Sequence, residues 1–288
     1  MFRKPIFIAI LVLALASMAC SISINLPVTQ VKTGPTETEQ INVPLPSSAG
    51  TVTDLTLSFG AGTLDLAPGA TDALVSGTAT YNVQDFKPET TINGNSVEIK
   101  TGNLKIDGIP SFSGNLKNAW DLKLGDTPLQ LTINAGAYKG NFELGGLAIQ
   151  YLKIGDGASD VKVNFSEANQ VEMNTLRYET GASTVSLSGL ANANLSSMTF
   201  KGGAGTYTLD FSGQLQRDAD VSIESGVSTM TISVPEGVSA RLSLDSSLTN
   251  VHTRGAWVQS GSDYVQSGSG PTITFHVNMG AGNLELTN

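Results

Sequence analysis

Few residues in this chain have the types and spacing that catalysis or metal binding requires. The two histidines, His252 and His276, are 24 residues apart, so a chain repeat of about that length would bring them near one another. A histidine pair is too small for a zinc site, which takes three or four protein ligands. His276 stands between Phe275 and Val277, which predicts a solvent-facing side chain in an alternating strand. We expect neither histidine to be functional.

Two short acidic segments are the best candidates for binding an ion. Asp156 and Asp160 flank a Gly-Ala-Ser sequence, and Asp218 and Asp220 flank a single alanine. Calcium takes oxygen ligands from such turns. Aspartate is also common in turns that bind nothing, because its side chain bonds to its own backbone. Calcium therefore stays a possibility, and we assign neither a metal ligand nor a cofactor.

The serines and glycines do not form a recognisable catalytic motif. Ser260 and Ser262 flank Gly261 in a segment that predicts a flexible loop, and no Gly-x-Ser-x-Gly elbow precedes a helix. The glycines of 202–205 lead into a strand and lack the lysine of a phosphate-binding loop. We assign no catalytic residue and expect a protein that is not an enzyme.

Cys20 is the only cysteine, and it stands at the end of an export signal. Arg3 and Lys4 precede an apolar run over 6–16, and small residues follow, which predicts a signal peptide over 1–19. Residues 15–20 resemble a bacterial lipobox, although serine stands three residues before the cysteine where leucine is usual. The resemblance implies a lipid attached to Cys20. Simple cleavage, giving a secreted protein with a free thiol, is the alternative, and an uncleaved anchor also remains open.

The charge balance argues against nucleic acid and against anionic membrane surfaces as partners. The chain has 16 basic and 25 acidic residues, and removal of 1–19 would leave 14 basic residues and a net charge of −11. Such a chain repels polyanions. Contact with the membrane is expected only through the lipid anchor, and an envelope protein or a glycan is the expected further partner.

Most of the chain after Thr51 alternates apolar and polar residues, which predicts strands with one buried face. No segment after the signal has helical spacing, so we predict an all-β domain over 51–288. Residues 20–50 carry four prolines among Thr, Ser and Glu, which predicts a disordered tether between the signal helix and this domain.

A glycine followed by a small residue recurs before many of these strands. The glycine falls at 136, 157, 181, 203 and 226, a period of about 22 residues that is typical of repeat folds. Because each unit has the same order of elements, we predict a single parallel β-solenoid in which the glycine forms a corner. The regular coils are expected over 129–244, with irregular coils over 51–128 and an insertion within 245–288.

Several segments resemble the bacterial toast-rack family, which includes LiaF-type cell-envelope proteins and putative adhesins. The resemblance covers about residues 52–288 and is carried by Phe59 to Leu66, Leu74 to Val83, Asn118 to Leu124, Pro128 to Leu131 and Gly145 to Leu147. It implies a β-solenoid at the cell envelope. The family has no assigned catalytic residues, so the resemblance implies no site.

These observations predict a non-enzymatic, lipid-anchored protein outside the cytoplasmic membrane of a bacterium. Its solenoid would present a surface for adhesion or ligand binding. An envelope-stress sensor or scaffold accessory protein is the alternative, and a polysaccharide-active enzyme on a long β-helix is the remote one.

Overall fold

A computed structural model describes residues 28–46, 50–102, 109–112, 114–246 and 248–288, and within them the chain is built almost entirely of strands. The predicted signal peptide and Cys20 lie outside the described residues. No helix in the described part of the chain is long and apolar enough to cross a membrane. Within the described ranges, one 3-10 turn occupies Gln84–Phe86. The strands are β1 Val28–Val31, β2 Glu37–Pro44, β3 Thr53–Pro68, β4 Ala73–Tyr81, β5 Pro88–Asn93, β6 Ser96–Thr101, β7 Ile109–Phe112, β8 Asn118–Leu124, β9 Leu129–Glu143, β10 Ile149–Asn164, β11 Met173–Ser188, β12 Leu195–Asp210, β13 Ala219–Ser233, β14 Gly237–Asp245, β15 Leu248–Thr253, β16 Val258–Ser260, β17 Asp263–Gln266 and β18 Gly268–Thr287.

The long strands each contain two legs joined at the Gly-small corner. In β10, Leu152 and Ile154 of the first leg and Val161 and Val163 of the second leg are buried, while the corner between them is exposed. Alternate side chains of a strand point to opposite faces. The apolar side chains of both legs therefore meet inside each coil and form the core.

Equivalent residues of successive coils pair in parallel from β9 to β13. Leu152 pairs with Leu176, which pairs with Met198, which pairs with Val221. The core is consequently a set of columns, with aromatic contacts between neighbouring coils such as Tyr178 against Phe200 at a ring-centroid distance of 5.6 Å. This arrangement confirms the predicted parallel β-solenoid with coils of about 22 residues.

At both ends of the stack, the order of the strands in the sheet differs from their order along the chain. Strand β3 lies between β9 on one side and β6 and β8 on the other, and β18 lies between β13 on one side and β14 and β15 on the other. Antiparallel strands cover these outer coils, with β5, β4 and β2 at one end and β17 and β16 at the other. The segment 237–266 is thus added outside the coil formed by β18.

Residues 37–44 correct the prediction of a disordered tether. They form β2, which pairs antiparallel with β4, and Ile41 and Val43 are buried in the core cluster. The alternation of Ile41 and Val43 suits an edge strand, and Pro44 stands at its last residue, where a missing N–H is tolerated. Strands β1 and β7 pair in parallel in a separate small unit.

Close backbone approach requires glycine at most of the corners. A Cβ placed on Gly181 would lie 2.4 Å from the carbonyl oxygen of Gly157, and one on Gly203 would lie 2.4 Å from that of Gly181. Neither glycine has a positive φ, so lack of space for a side chain, and not backbone conformation, is the reason for glycine at these two corners. The same contact recurs along one column: Gly60, Gly136, Gly157, Gly181, Gly203, Gly226 and Gly280.

We expect Gly181→Ala to lower the free energy of unfolding by about 1–3 kcal/mol, because the new methyl group overlaps the next backbone and the coils must separate. Gly60→Ala is the matched control, since Gly60 holds the same corner position but has open space around its Cβ position. The control should leave stability unchanged or raise it by up to about 1 kcal/mol. Thermal and urea unfolding of both variants measures the difference. Equal effects would show that the corner does not need glycine.

Candidate ligand-binding groove

The structure does not bring the two histidines together. His276 lies on the first leg of β18, where its Nδ1 is 3.1 Å from Ser243 Oγ. His252 lies on β15 and pairs in register with Glu285, on the second leg of β18. The spacing of 24 residues matches one coil, but the two positions fall on opposite sides of the corner. The expectation that they lie close is wrong.

Asp156 is held inside a corner by hydroxyl groups. Its carboxylate accepts hydrogen bonds from Tyr178 Oη at 2.8 Å and from Thr180 Oγ1 at 2.5 Å, with Tyr138 Oη at 3.4 Å. Burial raises the pKa of both tyrosines, and the nearby carboxylate raises it further. Asp156 therefore has an evident structural role, because it satisfies hydroxyl groups that the corner buries.

The other residues singled out from the sequence are dispersed. Asp160 is exposed near Lys139, with 3.8 Å between carboxylate and ammonium, and Asp218 accepts a hydrogen bond from the Thr272 backbone N–H. Ser260 ends β16, and Ser262 lies in the two-residue turn that joins β16 to β17. In the described ranges, no group of three or more His, Cys, Asp or Glu residues is placed to hold a metal ion.

A polar groove crosses the outer face of the second legs near the β3 end of the stack. It has a volume of about 470 Å³. We call it the polar groove. Its lining side chains are carboxylates, amides and amines over an apolar floor: Asp65, Leu66, Ala67, Asp121, Lys123, Asn141, Phe142, Glu143, Lys162 and Asn164.

Strand register places one row of polar side chains along the polar groove. Asp65 pairs with Asp121 on one side and with Asn141 on the other, and Asn141 pairs with Lys162. Neighbouring strands are about 4.8 Å apart, so the row presents a polar group at each step of that length. Ala67 pairs with Lys123 in the adjacent row, and its short side chain leaves space between longer neighbours.

The surroundings of Asp65 disfavour the charged form of its carboxyl group. Partial burial raises its pKa, and the negative charge of Asp121 raises it further. A hydrogen bond from Asn141 and the charges of Lys123 and Lys139 act in the opposite direction. Hydroxyl or cationic groups of a ligand would relieve the repulsion between the two carboxylates.

Glu143 is fixed at the rim of the polar groove by three hydrogen bonds. Its Oε1 accepts from the backbone N–H of Gly145 at 2.8 Å and of Ser166 at 3.2 Å, and its Oε2 accepts from Asn164 Nδ2 at 2.6 Å. Burial alone would raise the pKa of Glu143, but these bonds outweigh it and lower the pKa below the usual value. Glu143 is therefore an anchored anion at neutral pH.

A second shallow cavity, of about 460 Å³, lies on the outer face of the first legs. Its charged residues already pair with one another or with neighbours, since Lys201 Nζ is 2.8 Å from Glu224 Oε2 and Arg177 is bonded to Glu179. The polar groove has the more closely spaced carboxylates and is the stronger candidate for binding.

The polar groove was not predicted from the sequence, although the repeat contains a signal for it. Asp65, Asn141 and Lys162 each stand five residues after a corner glycine, so an alignment of the coils on that glycine places them in one row. Asp121 carries no such signal, because β8 has no corner of its own and joins the row only through its pairing with β3.

Two overlapping parts of the chain match the model of one protein family. The model for the N-terminal domain of toast_rack (DUF2154) matches residues 32–175 and again residues 168–233. The chain belongs to the toast-rack family. The second match falls within the regular coils, as expected when one unit repeats. No curated protein matches the chain.

Three solved structures are similar to this toast-rack chain over most of their length. A putative cell adhesion protein from Clostridium sporogenes is 21% identical with a TM-score of 0.47, covering 88% of this chain and 99% of that one. A putative lipid binding protein from Parabacteroides distasonis is 12% identical with a TM-score of 0.41, covering 89% and 99%. A putative adhesin from Bacteroides fragilis is 10% identical with a TM-score of 0.37, also covering 89% and 99%.

For the toast-rack chain we expect Glu143→Gln to lower the melting temperature at neutral pH and to have less effect in acid. A carboxylate with a lowered pKa stabilises the fold above the unfolded pKa of about 4.3, and this contribution is lost as pH falls through the folded pKa. Melting curves of both proteins from about pH 7 to about pH 3 test this. Glu236→Gln, in the exposed turn before β14, is the control. A difference in melting temperature between wild type and Glu143→Gln that stays constant in acid would contradict the prediction.

Proposed function

We propose that this protein is a non-enzymatic, lipid-anchored binding protein outside the bacterial cytoplasmic membrane, and that the polar groove binds a saccharide chain. Adhesion to a glycan surface is the activity that this arrangement serves. The observation that carries the proposal is the row Asp121, Asp65, Asn141 and Lys162 across four paired strands.

The chemistry of the row suits hydroxyl groups. Carboxylates accept hydrogen bonds, lysine donates them, and the asparagine amide does both, so vicinal hydroxyls of a sugar find partners of each kind. The strand spacing of about 4.8 Å is close to the length of one hexose in an extended chain. Phe142 lies under the groove and is buried, so hydrogen bonds rather than ring stacking would set the affinity.

A binding role fits the polar groove better than a catalytic one. Glycoside hydrolysis needs one protonated carboxylic acid and one carboxylate on opposite sides of the bond that breaks. Asp65 and Asp121 lie side by side on neighbouring strands, and Glu143 is occupied by three hydrogen bonds. These positions suit the binding of a saccharide chain better than its cleavage.

Asp65→Ala combined with Asn141→Ala should weaken saccharide binding at least about tenfold, because the centre of the row loses an acceptor and a donor. The probes are soluble peptidoglycan fragments and the polysaccharide fraction of the producing organism's own envelope, measured by calorimetry with the full chain. Thr231→Ala is the matched control, since Thr231 stands five residues after Gly226 on a coil outside the groove.

Two results would contradict this function. Release of reducing ends from either probe by the purified chain would make it an enzyme. Absence of binding to every probe, together with one envelope protein recovered by crosslinking in the cell, would favour the sensor or scaffold role.

Cys20→Ala should move the protein from the membrane fraction to the soluble extracytoplasmic fraction, because a lipid on Cys20 is the proposed anchor. Fractionation and immunoblotting measure the distribution, and labelling with a radioactive fatty acid shows the lipid directly. The control is the conservative change Ser17→Ala, which lies before the proposed cleavage point and leaves Cys20 in place. A wild-type protein that takes up no labelled fatty acid would exclude the lipid anchor.

A further inference from the structure

Among the edge strands of the described residues, one is less protected than the others. Strand β15, Leu248–Thr253, pairs with β18, and no other strand of the described residues pairs with its outer edge. Backbone N–H and C=O groups along such an edge are free to pair with another chain. Leu248 at its start is 72% exposed, and its register neighbours Ala281 and Val227 extend an apolar strip away from it.

The remaining edges carry the features that block pairing. Strand β2 contains Glu37, Glu39 and a terminal proline, and β5 begins with Pro88 and Glu89. Strand β16 has three residues. Charges, prolines and shortness are the usual protections of a sheet edge. The six residues of β15 contain no proline, aspartate, glutamate, lysine or arginine.

We propose that the outer edge of β15 is a homodimerisation surface. There, β15 of a second copy pairs antiparallel about a two-fold axis that passes through Asn250. The proposal is independent of the saccharide-binding role, because β15 and the polar groove share no residue.

The register about Asn250 is self-complementary. It places Thr249 of each copy opposite Val251 of the other, on the side where Val251 already packs against the core. On the exposed side, the two Asn250 amides meet at the axis. Each Asn250 Nδ2 also lies 3.5 Å from Asn283 Oδ1 of its own chain, so four amides would form one row across the dimer. Amide rows of this kind stabilise stacked identical strands.

Charge favours a second copy at this edge. The chain has a net charge of −9, so two copies repel each other over most of their surfaces. Strand β15 carries no carboxylate, and the nearest one in register, Glu285, is paired with Arg254 at 3.0 Å. The β15 edge itself therefore adds no repulsion between carboxylates when two identical chains approach along it.

Sedimentation velocity of the full chain tests the proposal. We expect a concentration-dependent dimer whose dissociation constant rises at least about tenfold in Asn250→Lys, because two ammonium groups then face each other at the axis. Asn42→Lys is the matched control, since Asn42 is an exposed asparagine on the β2 edge. A wild-type chain that stays monomeric at every concentration overturns the proposal, as does an equal effect of the two lysine variants.

A crosslink gives a second measurement that does not depend on destabilising the interface. All variants carry Cys20→Ser, so that each contains one thiol at most. Asn250→Cys should form a disulfide or a short bismaleimide crosslink between copies, because paired Cβ atoms lie about 5 Å apart at the axis. Asn42→Cys should not. Equal crosslinking of both variants, or of neither, contradicts pairing through β15.

Discussion

The structure depends on backbone contact between the corners of successive coils. Most corner glycines lie against the carbonyl oxygen of the corner glycine in the preceding layer of the stack, where a Cβ would come within 2.4–2.7 Å of that oxygen. This contact fixes the coils at the spacing of a β-ladder, and it fixes both legs of each coil at the same time. The buried columns and the exposed polar rows follow from that single alignment, because residues at equal distance from the corner must lie side by side.

Local pattern and period were enough to predict the regular coils. The alternation of Val161, Val163 and Phe165 indicates a buried leg, and the recurrence of the glycine indicates how one leg stacks on the next. The ends could not be predicted in this way. Strand β2 joins the sheet through antiparallel pairing with β4, a contact between residues distant in sequence that leaves no local signal beyond two apolar residues among prolines.

The polar groove illustrates the same division. A row such as Asp65, Asn141 and Lys162 is implicit in the repeat, because each residue holds the same place after its corner. The charge of Asp121 beside Asp65 depends on β8, which replaces half a coil and follows no period. For the histidines, the period suggested a proximity that the structure does not have. A separation equal to the period places two residues side by side only when both stand on the same leg.

The position of β18 has a consequence for how the chain folds. Residues 237–266 are synthesised before residues 268–287, yet β14 and β15 can join the stack only after β18 has paired with β13. The outermost layer must therefore wait for a segment that follows it on the ribosome. Loss of the last residues of β18 would remove the pairing partner of β15, and loss of the whole strand would also remove the partner of β14, so damage to β18 reaches an interior layer of the stack.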